Sequence, residues 1–599
     1  MKLHYLFLSL LLIAVTTLSA CSDDDTSTVS NQLPLPGDYS LPLIETTDIH
    51  GHIVSIEADD THYKLAYIAD KVKDIRGRGA DYKKERLLLL DGGDLYQGTT
   101  CSNLQMGKPI YMAIDKMDYD AVALGNHEFD WGLENMLDSD GTLLGYEHDG
   151  QSYTNEVPVL CANIYQNNAR ISQTRDYVIL EKTAVNELGS EVKVKIAIIG
   201  FAEDYSSSIM TSQFSGKGYS IKTDFTIAND IAQELESTGQ ADAYILLIHS
   251  AADVAANKLS EGTAIDLVLG GHSHVNISGQ TSWGLPYLQA ESYSEAYAYT
   301  ELNFHVDEKG TVSFTNVKDG ETIAVDNSRD TRTHDGENAD DLDDDILSLS
   351  DEAIMSVSEQ LNKVIGYINV DATDNYPDTN LSLPGSGGRA SVMGNWMSDI
   401  YMRIGEADVA FMNSGGVRTS FPLNGNTTRN ITYADVYDIF PFNNHIYVYQ
   451  ITYAELLQLF EYSMTSSGKG LLSRVTGIDC YYTSTEGISA SGKTYTETAV
   501  HSLVKDGTTI YEAGIWQGDW ASRTVTVATN EYVATTDRVY TYSNPAMHNP
   551  FTLWNDTPRL IMSELIDSEN AIRILQAEAE ASGGLLSIDL KPHFILYTK

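Results

Sequence analysis

Five short segments carry side chains able to hold a metal ion, each directly after an apolar run. They are Asp48-Ile49-His50, Gly92-Gly93-Asp94, Gly125-Asn126-His127-Glu128, Ile248-His249-Ser250 and Gly270-Gly271-His272-Ser273-His274. Carboxylate, imidazole and amide oxygen together suit Zn²⁺, Mn²⁺ or iron, Mg²⁺ would accept the oxygens, and no thiolate is on offer. Asp48, His50, Asp94, Asn126, His249, His272 and His274 are more donors than one four-coordinate ion needs. They suit two divalent ions that share a carboxylate, an arrangement able to hold an attacking water and clamp a phosphoryl oxygen. A single histidine after a strand is usually a surface or supporting residue. The five groups in this order carry the signal.

Groups this far apart in sequence meet only if a fold gathers them. The apolar runs Leu41–Glu45, Leu87–Leu90, Ala121–Leu124, Val194–Ile199, Tyr244–Ile248 and Leu267–Leu269 have strand length. Several are uniformly apolar, as strands covered on both faces are. Helical patterns at Lys64–Ile75 and Asp224–Glu236 lie between them, so the region reads as an α/β domain. In such domains ligand groups gather at the carboxyl ends of strands. Glycines beside Asp94, Asn126 and His272 permit the sharp turns this needs. The acidic stretch Asp335–Asp345 follows; it lacks the glycine and terminal glutamate of an EF-hand and reads as a solvated linker. A helical pattern from Ile346 to about Val364 leads into a second region that mixes helices, such as Tyr453–Ser463, with strands such as Arg523–Ala528.

Met1–Ala20 has the form of an export signal, with Lys2 ahead of an apolar run, Leu6–Val15, that is too short to span a bilayer. Leu18-Ser19-Ala20-Cys21 resembles the lipobox of bacterial lipoproteins, which makes Cys21 the expected lipidation site and the bacterial outer membrane the expected location. Ser22-Asp23-Asp24-Asp25 resembles the acidic tag of surface-exposed lipoproteins, and the polar stretch to Ser40 reads as a tether. Cys101, Cys161 and Cys480 do not make a disulfide framework; if one bridge forms, Cys101–Cys161 is the expected pair. The net charge of −46 opposes polymeric nucleic acid and anionic membrane surfaces, so a phosphate site must be locally positive through metals or arginine. Membrane contact is expected through the lipid alone.

The order Asp-x-His, Gly-Asp, Gly-Asn-His-Glu, His and Gly-His-x-His resembles the calcineurin-like metallophosphoesterases. Thr47-Asp48-Ile49-His50-Gly51-His52, Asp91-Gly92-Gly93-Asp94 and Gly125-Asn126-His127-Glu128-Phe129-Asp130 are similar to its 5′-nucleotidase branch, which includes UDP-sugar hydrolases. The resemblance covers nearly the whole chain after the tether. It implies one metal on Asp48, His50 and His274, a second on Asn126, His249 and His272, and Asp94 bridging them. It also implies a His127–Asp130 dyad beside Asn126, in which Asp130 orients the imidazole and His127 steadies the transferring phosphoryl group or assists the leaving oxygen. Water would attack in line, without a covalent enzyme intermediate. His52 matches no ligand of the family and reads as structural; Asp91 reads as a support for the ligands.

In the second region Asn413-Ser414-Gly415-Gly416-Val417-Arg418 resembles the family's Asn-Gly-Gly-Gly-Ile-Arg segment, with Arg418 offering a fork for phosphate or ribose oxygens. Phe440-Pro441-Phe442-Asn443-Asn444 matches the segment that supplies one ring of a base sandwich, making Phe442 that ring and Asn444 a partner for the base. Tyr532-Val533-Ala534-Thr535-Thr536-Asp537 fits the position of the second ring. Here the sequence departs from the family: Thr535-Thr536 replace the usual glycine pair and the spacing is shorter. Arg389, ahead of Met393-Gly394-Asn395-Trp396, is a further phosphate contact to expect.

The expected fold is therefore α/β: a β-sandwich of metallophosphoesterase type flanked by helices, then an α+β nucleotide-binding domain. Its expected parts are a signal (1–20), a lipidated tether (21–40), a catalytic domain (41–334), an acidic linker with a connecting helix (335–365) and a substrate-recognition domain (366–599). The family's domains rotate, which would put a hinge within Asp335–Val364. The expected reaction is hydrolysis of a nucleoside 5′-monophosphate. Hydrolysis of UDP-sugars, other nucleotide diphosphates or 2′,3′-cyclic phosphodiesters is the alternative; a surface lipoprotein that captures nucleotides without catalysis is a more distant one.

Overall fold

The computed structural model describes residues 34–57, 60–148, 150–205, 209, 213–325, 342–369, 392–419, 421, 427–442, 444–465, 471–472, 474–488, 494–536, 548–555, 557–588 and 593–597. Cys21, Arg389 and Asp537, and the stretch 335–341, lie outside the described residues.

The first domain is a sandwich of two sheets with helices on both outer faces. Strands β1 (Gly37–Thr46), β2 (Leu88–Asp91), β3 (Ala121–Ala123) and β4 (Val159–Leu160) run parallel in one sheet. The second sheet contains β5 (Tyr177–Val185), β6 (Glu191–Ala202), β7 (Ala243–His249), β8 (Leu267–Leu269) and β9 (Pro286–Gln289), parallel from β6 onward. The two meet at one register point, Ser40 opposite Val185, and β10 (Ala296–Val306) returns antiparallel along β1.

Strand geometry explains why several of these runs are apolar throughout. Successive side chains point to opposite faces. Leu88 and Leu90 enter the inter-sheet core with Leu41, Leu43, Ile196, Ile198, Ile245 and Leu247. Leu89 and Ile44 face instead the helices α1 (Lys64–Arg76) and α2 (Lys108–Lys116). On the far side Leu246 and Ile248 pack under α3 (Thr226–Ser237) and α4 (Ala252–Lys258).

Gly37–Ser40, assigned from sequence to the tether, belong to β1. Alternation carries Tyr39 into the same core as Leu41, and Gly37 pairs with Val306. The linker also changes its reading. Asp343 caps α5 (Asp344–Leu361) by accepting from the Asp345 and Ile346 amides, and Asp344 and Asp345 suit the positive end of a helix. Ile346, Leu349 and Ala353 then join the core beneath α1 and α2, so the connecting helix is part of the first domain. Asn362 and Lys363 separate it from β11 (Val364–Asn369), which pairs with Thr428–Thr432 in the second domain. Cys101, Cys161 and Cys480 are free thiols, so the Cys101–Cys161 bridge does not form.

The second domain is built on a mixed sheet between two helical layers. After α6 (Val392–Ile404) come β12 (Val409–Met412), α7 (Tyr433–Ile439), β13 (His445–Thr452), α8 (Tyr453–Ser463), β14 (Thr524–Asn530), β15 (Leu560–Ile566) and α9 (Asp567–Ser582). The sheet runs Arg474–Thr476, β12, β14, β13, β15. Ala410, Met412, Ile446 and Val448 face α6 and α9, whereas Val409, Phe411, Tyr449 and Ile451 face α8.

Candidate active site

The five metal-capable segments begin where β1, β2, β3, β7 and β8 end, and parallel pairing brings those ends to one edge of the sandwich. Asp48, His50, Asp94, His272 and His274 all have positive φ, between 49° and 70°. Left-handed backbone is unfavourable for residues with a Cβ and persists only where surrounding structure fixes it. Here neighbouring loops fix each other. The amides of Asp48 and His50 donate to the carbonyls of Gly93 and Asp94 at 2.9 Å, and the Gly271 amide donates to the Ser250 carbonyl at 2.8 Å. Gly125 has no room for a side chain, since a Cβ there would sit 2.3 Å from Asp94 Oδ1.

Three sets of donor atoms converge: Asp48, His50 and His274; His50, Asp94 and His127; and Asp94, His249 and His272. His50 Nε2 lies 3.1 Å from His274 Nε2, and His274 Nε2 lies 3.3 Å from Asp48 Oδ1. Asp94 Oδ2 lies 3.0 Å from His249 Nε2 and 3.7 Å from His50 Nε2, so this carboxylate stands between the two outer sets. Backbone carbonyls set the imidazole tautomers. His50 Nδ1 donates to Gln97 O and His249 Nδ1 donates to Gly92 O, each at 2.7 Å, which turns both Nε2 atoms inward.

Asp48 Oδ1, Asn126 Oδ1 and His249 Nε2 are buried without a protein hydrogen-bond partner. Such orphaned atoms are costly unless something else satisfies them. Converging lone pairs of oxygen and nitrogen on one carboxylate fit a divalent cation.

Around this centre the carboxylates divide by environment. Burial alone would raise Asp94, but His249, His127 and His50 hold it well below the usual carboxylate range. Burial pushes Glu128 up to about 7, and Asp94 adds to that rise. Glu128 accepts from the amides of Gly125 (2.7 Å), Leu95 (2.8 Å) and Asp94 (3.1 Å), so it ties two ligand loops together. Asp91 does the same locally, accepting from Thr46 Oγ1 and the Gly93 amide. His52 is bonded to Ser55 and packs against Tyr293, outside the three donor sets. His127 donates from Nδ1 to Asp130 Oδ2 at 2.7 Å, and its amide donates to Asp94 Oδ1 at 2.8 Å. Burial pulls His127 down, yet Asp130 and then Asp94 leave it above the ordinary histidine value.

The second domain closes over this edge. A cavity of about 430 Å³ is lined by Asp94, Asn126, His127, Asp130, His272 and His274 on one side. Asn413, Arg418, Phe442, Asn444, Asn530 and Tyr532 line it on the other. Asn413 follows β12, and its Oδ1 accepts from Asn530 at the end of the neighbouring β14. Tyr532 lies on the short helix Glu531–Thr535 that Asn530 caps. Asn444 Nδ2 is 3.5 Å from buried Asp567 Oδ2. Phe442 stacks on His127 with ring centres 5.7 Å apart, and the Arg418 guanidinium lies 5.1 Å from the Phe442 ring centre. In this arrangement the expected base-stacking ring therefore covers the dyad.

Residues 364–542 match the model of the 5′-nucleotidase C-terminal domain. A snake venom 5′-nucleotidase from Crotalus adamanteus is 25% identical over 488 residues, 74% of each chain. A 5′-nucleotidase from Vibrio parahaemolyticus is 26% identical over 459 residues, 70% of this chain and 74% of that one. The crystal structure of a 5′-nucleotidase precursor from Thermus thermophilus superimposes with a TM-score of 0.63 at 19% identity, covering 94% of this chain and all of that one. The chain has the fold of the 5′-nucleotidases.

Within that 5′-nucleotidase fold, four side chains of the site had no role in the sequence reading. Gln97 lies two residues beyond the Gly92–Leu95 turn and holds His50 by its carbonyl. Glu128 stands inside the Gly-Asn-His-Glu motif and accepts there from Gly125, but its tie to the other ligand loop runs through the Leu95 and Asp94 amides, distant in sequence. Tyr293 follows β9, a sixth strand with its carboxyl end at the same edge; its amide donates to the Asp48 carbonyl, and its ring packs on His50, His52 and His274. The strand-end rule that found the other five segments applies to Tyr293 and to Asn530 as well.

Proposed function

We propose that this protein is a metal-dependent hydrolase of nucleotide phosphoesters, converting a nucleoside 5′-monophosphate and water to nucleoside and phosphate. The observation that carries the reading is the shared cavity, in which one wall bears the Asp/His/Asn centre and the other bears Arg418, Phe442, Asn444 and Tyr532. Its 430 Å³ suits a mononucleotide, within the range typical of small-molecule sites.

Asp48, His50 and His274 would hold one divalent ion, and Asn126, His249 and His272 a second, with Asp94 between them. The three orphaned atoms, one on each of Asp48, Asn126 and His249, support this assignment. When bound, such ions act as Lewis acids toward phosphoryl oxygens and lower the pKa of water. Zn²⁺, Mn²⁺ and iron fit the mixed donors best, and Mg²⁺ fits the oxygens alone.

The chain's own groups then have defined tasks. Arg418 would bind phosphate or ribose oxygens through its fork, and Phe442 and Tyr532 would stack the base. Asn413 and Asn444 would supply hydrogen bonds to the nucleoside, Arg389 a further contact to phosphate, and Asp537 a further contact to the substrate. His127, held by Asp130, would present Nε2 to the phosphoryl group, stabilising its charge when protonated or giving a proton to the leaving oxygen. Phe442 would have to lift from His127 to admit the base. The rotation expected of this fold would supply that movement, about the Asn362-Lys363 link between α5 and β11.

A second cavity of about 350 Å³, which His50 lines, shares Arg418 and Phe442 with the first. It favours, as a second reading, nucleotide diphosphates such as UDP-sugars, whose group beyond the phosphate needs room. Met1–Ala20 and Cys21 support export and lipid attachment at the outer membrane; among the described residues no helix is long and apolar enough to cross a bilayer. Cys21→Ser should move the protein from the membrane fraction to the soluble fraction and remove the added acyl mass.

The deciding experiment is phosphate release by the mature protein with Mn²⁺ or Zn²⁺. Substrates would be AMP, UMP, UDP-glucose, 2′,3′-cyclic AMP and a sugar phosphate, with a coupled phosphatase for diesters. Preference for nucleoside monophosphates, lost on chelation, supports the reading. Activity on the sugar phosphate alone would remove the stacking role of Phe442 and Tyr532. Inactivity with every metal would leave nucleotide capture as the function.

A further inference from the structure

Gln97 touches both halves of the site. Its backbone carbonyl accepts from His50 Nδ1 at 2.7 Å, and its side-chain Nε2 donates to the carbonyl of Pro441 at 3.0 Å. Pro441 immediately precedes Phe442. Gln97 is 1% exposed, so neither bond competes with solvent.

The residues that follow reinforce the contact. Asn103 Nδ2 donates to the same Pro441 carbonyl at 2.9 Å, and Thr100 Oγ1 donates to Asp438 at the end of α7. The segment is anchored in turn to the metal-side loop, since Thr99 Oγ1 donates to the Gly51 carbonyl at 2.7 Å. Gly98 is packed so tightly on His50 that a Cβ would sit 2.2 Å from the His50 carbonyl oxygen. The stretch Gln97–Asn103 is therefore bonded to the His50 loop on one side and to the Phe442 segment on the other.

We infer that Gln97 is a positioning residue that couples the metal-side histidine to the base-stacking ring, seating the Pro441-Phe442 segment of the second domain against the first. The two functions use different atoms. Orientation of His50 comes from the carbonyl, which any substitution keeps, and seating of Phe442 comes from the amide, which a substitution removes. The bidentate acceptance by Pro441 O gives the seat two independent donors, Gln97 and Asn103. For the substrate alone, this inference rests on the nucleotide reading above.

The test uses full-length mature Gln97→Met, Asn103→Ala and the double variant. Metal content, kcat and KM for AMP and for p-nitrophenyl phosphate, and hydrogen exchange of residues 433–442 would be measured. Gln97→Met should keep its metal and lower KM for AMP by up to about tenfold, the effect of one lost buried hydrogen bond that holds Phe442 over His127, with kcat changed by less than about threefold. The small aryl phosphate, which does not need the base stack, should change by less than about twofold. Asn103→Ala, which also removes the acceptor of the Gly98 amide at this half-buried position, should show the same split more weakly, and the double variant should exceed either alone. Exchange at 433–442 should accelerate in the same order.

Loss of metal in Gln97→Met, a raised KM for AMP, or an equal change on both substrates would overturn the inference, because the side chain would then be acting on His50 or on the bound nucleotide. Unchanged exchange at 433–442 in the double variant would overturn it too. Faster exchange there in a protein whose wild type ignores nucleotides would sustain the coupling and sink the nucleotide reading instead.

Discussion

Asp130 offers the sharpest test of the proposed chemistry because its two neutral replacements remove different things. Asp130 Oδ2 accepts from His127 Nδ1 at 2.7 Å, and both groups are largely shielded from water. Asp130→Asn keeps an oxygen able to accept that hydrogen, so the imidazole stays placed and only the charge is lost. Asp130→Ala removes placement as well. A buried hydrogen bond to a charged group is worth about 1.5–3 kcal/mol and a neutral one about 0.5–1.5 kcal/mol. The asparagine variant should therefore lose about 1–1.5 kcal/mol of transition-state stabilisation, roughly five- to fifteenfold in kcat, and alanine about ten- to a hundredfold.

The pH profile should move in a set direction. Burial depresses His127, while Asp130 and then Asp94 raise it above the ordinary histidine value. Removing the Asp130 charge removes the larger of the two supports, so His127 gives up its proton at lower pH. If protonated His127 is the working form, the alkaline limb of kcat/KM shifts to lower pH in Asp130→Asn. Metal content should stay constant, because Asp130 is in none of the donor sets and the His127 amide still donates to Asp94. Steady-state kinetics on AMP with metal analysis of the same samples makes the check. Equal rates for the two variants, or either within twofold of wild type, would refute the assigned dyad.

Gly125→Ala should lose metal and destabilise the first domain by about 1–3 kcal/mol, as overpacking does, since its Cβ would strike Asp94 and Glu128; calorimetry and metal analysis would read both effects. Asp94→Asn, or chelation of the wild type, should abolish metal-dependent stabilisation, whereas wild type at a hundredfold excess of Mn²⁺ over its Kd should gain about 2.7 kcal/mol; an unchanged melting profile on metal addition would exclude the cation centre. Burial raises Asp266, away from the site, from 3.8 to about 7, so its stabilising effect is complete below pH 4 and is lost as pH rises toward 7. Fully sealed, that rise would be worth about 4 kcal/mol; Asp266 is only half-buried, so about 1–2 kcal/mol is expected. Asp266→Asn should accordingly gain on wild type across that pH window in urea titrations, and a pH-independent offset would contradict it.

The metal edge was legible from sequence because a parallel strand buried on both faces must be apolar along its length. Tyr244–Ile248 and Leu267–Leu269 stand out for that reason, and the first polar residues after such a strand fall at the edge where the ligands meet. Strands with one face less covered carry no such signature, so β5 and β10 went unmarked, and with them the division into two sheets. The acidic linker misled because aspartates suit a solvated coil and a helix amino terminus alike; Asp343–Asp345 turned out to be the latter. Residues such as Gln97 and Glu128 act through backbone atoms of distant loops, and no local pattern records such a partner. In the second domain Thr535-Thr536 break the family pattern, yet Tyr532 still lines the cavity, because Asn530 caps the short helix that carries it.

The backbone of the metal edge argues that rigidity of the sandwich is part of the chemistry. Five of the metal-capable residues stand there in the left-handed region, each at a cost of about 1–3 kcal/mol. Aspartate and histidine tolerate that region better than most residues, which eases the cost without removing it. It is met by the elements that leave no alternative path: strands β1, β2, β7 and β8 enter the loops from a sealed core, and the loops are hydrogen-bonded to one another as they leave it. A sharp left-handed turn lets Asp48 and His50, two residues apart, aim at the same point, and lets His272 and His274 reach the two neighbouring donor sets. Regular strand would send both members of each pair to one face but about 7 Å apart along the chain. The strain is thus what makes Asp-x-His converge on one donor set and splits His-x-His between two, and the Gln97–Asn103 segment extends that fixed geometry to the ring that must meet the base.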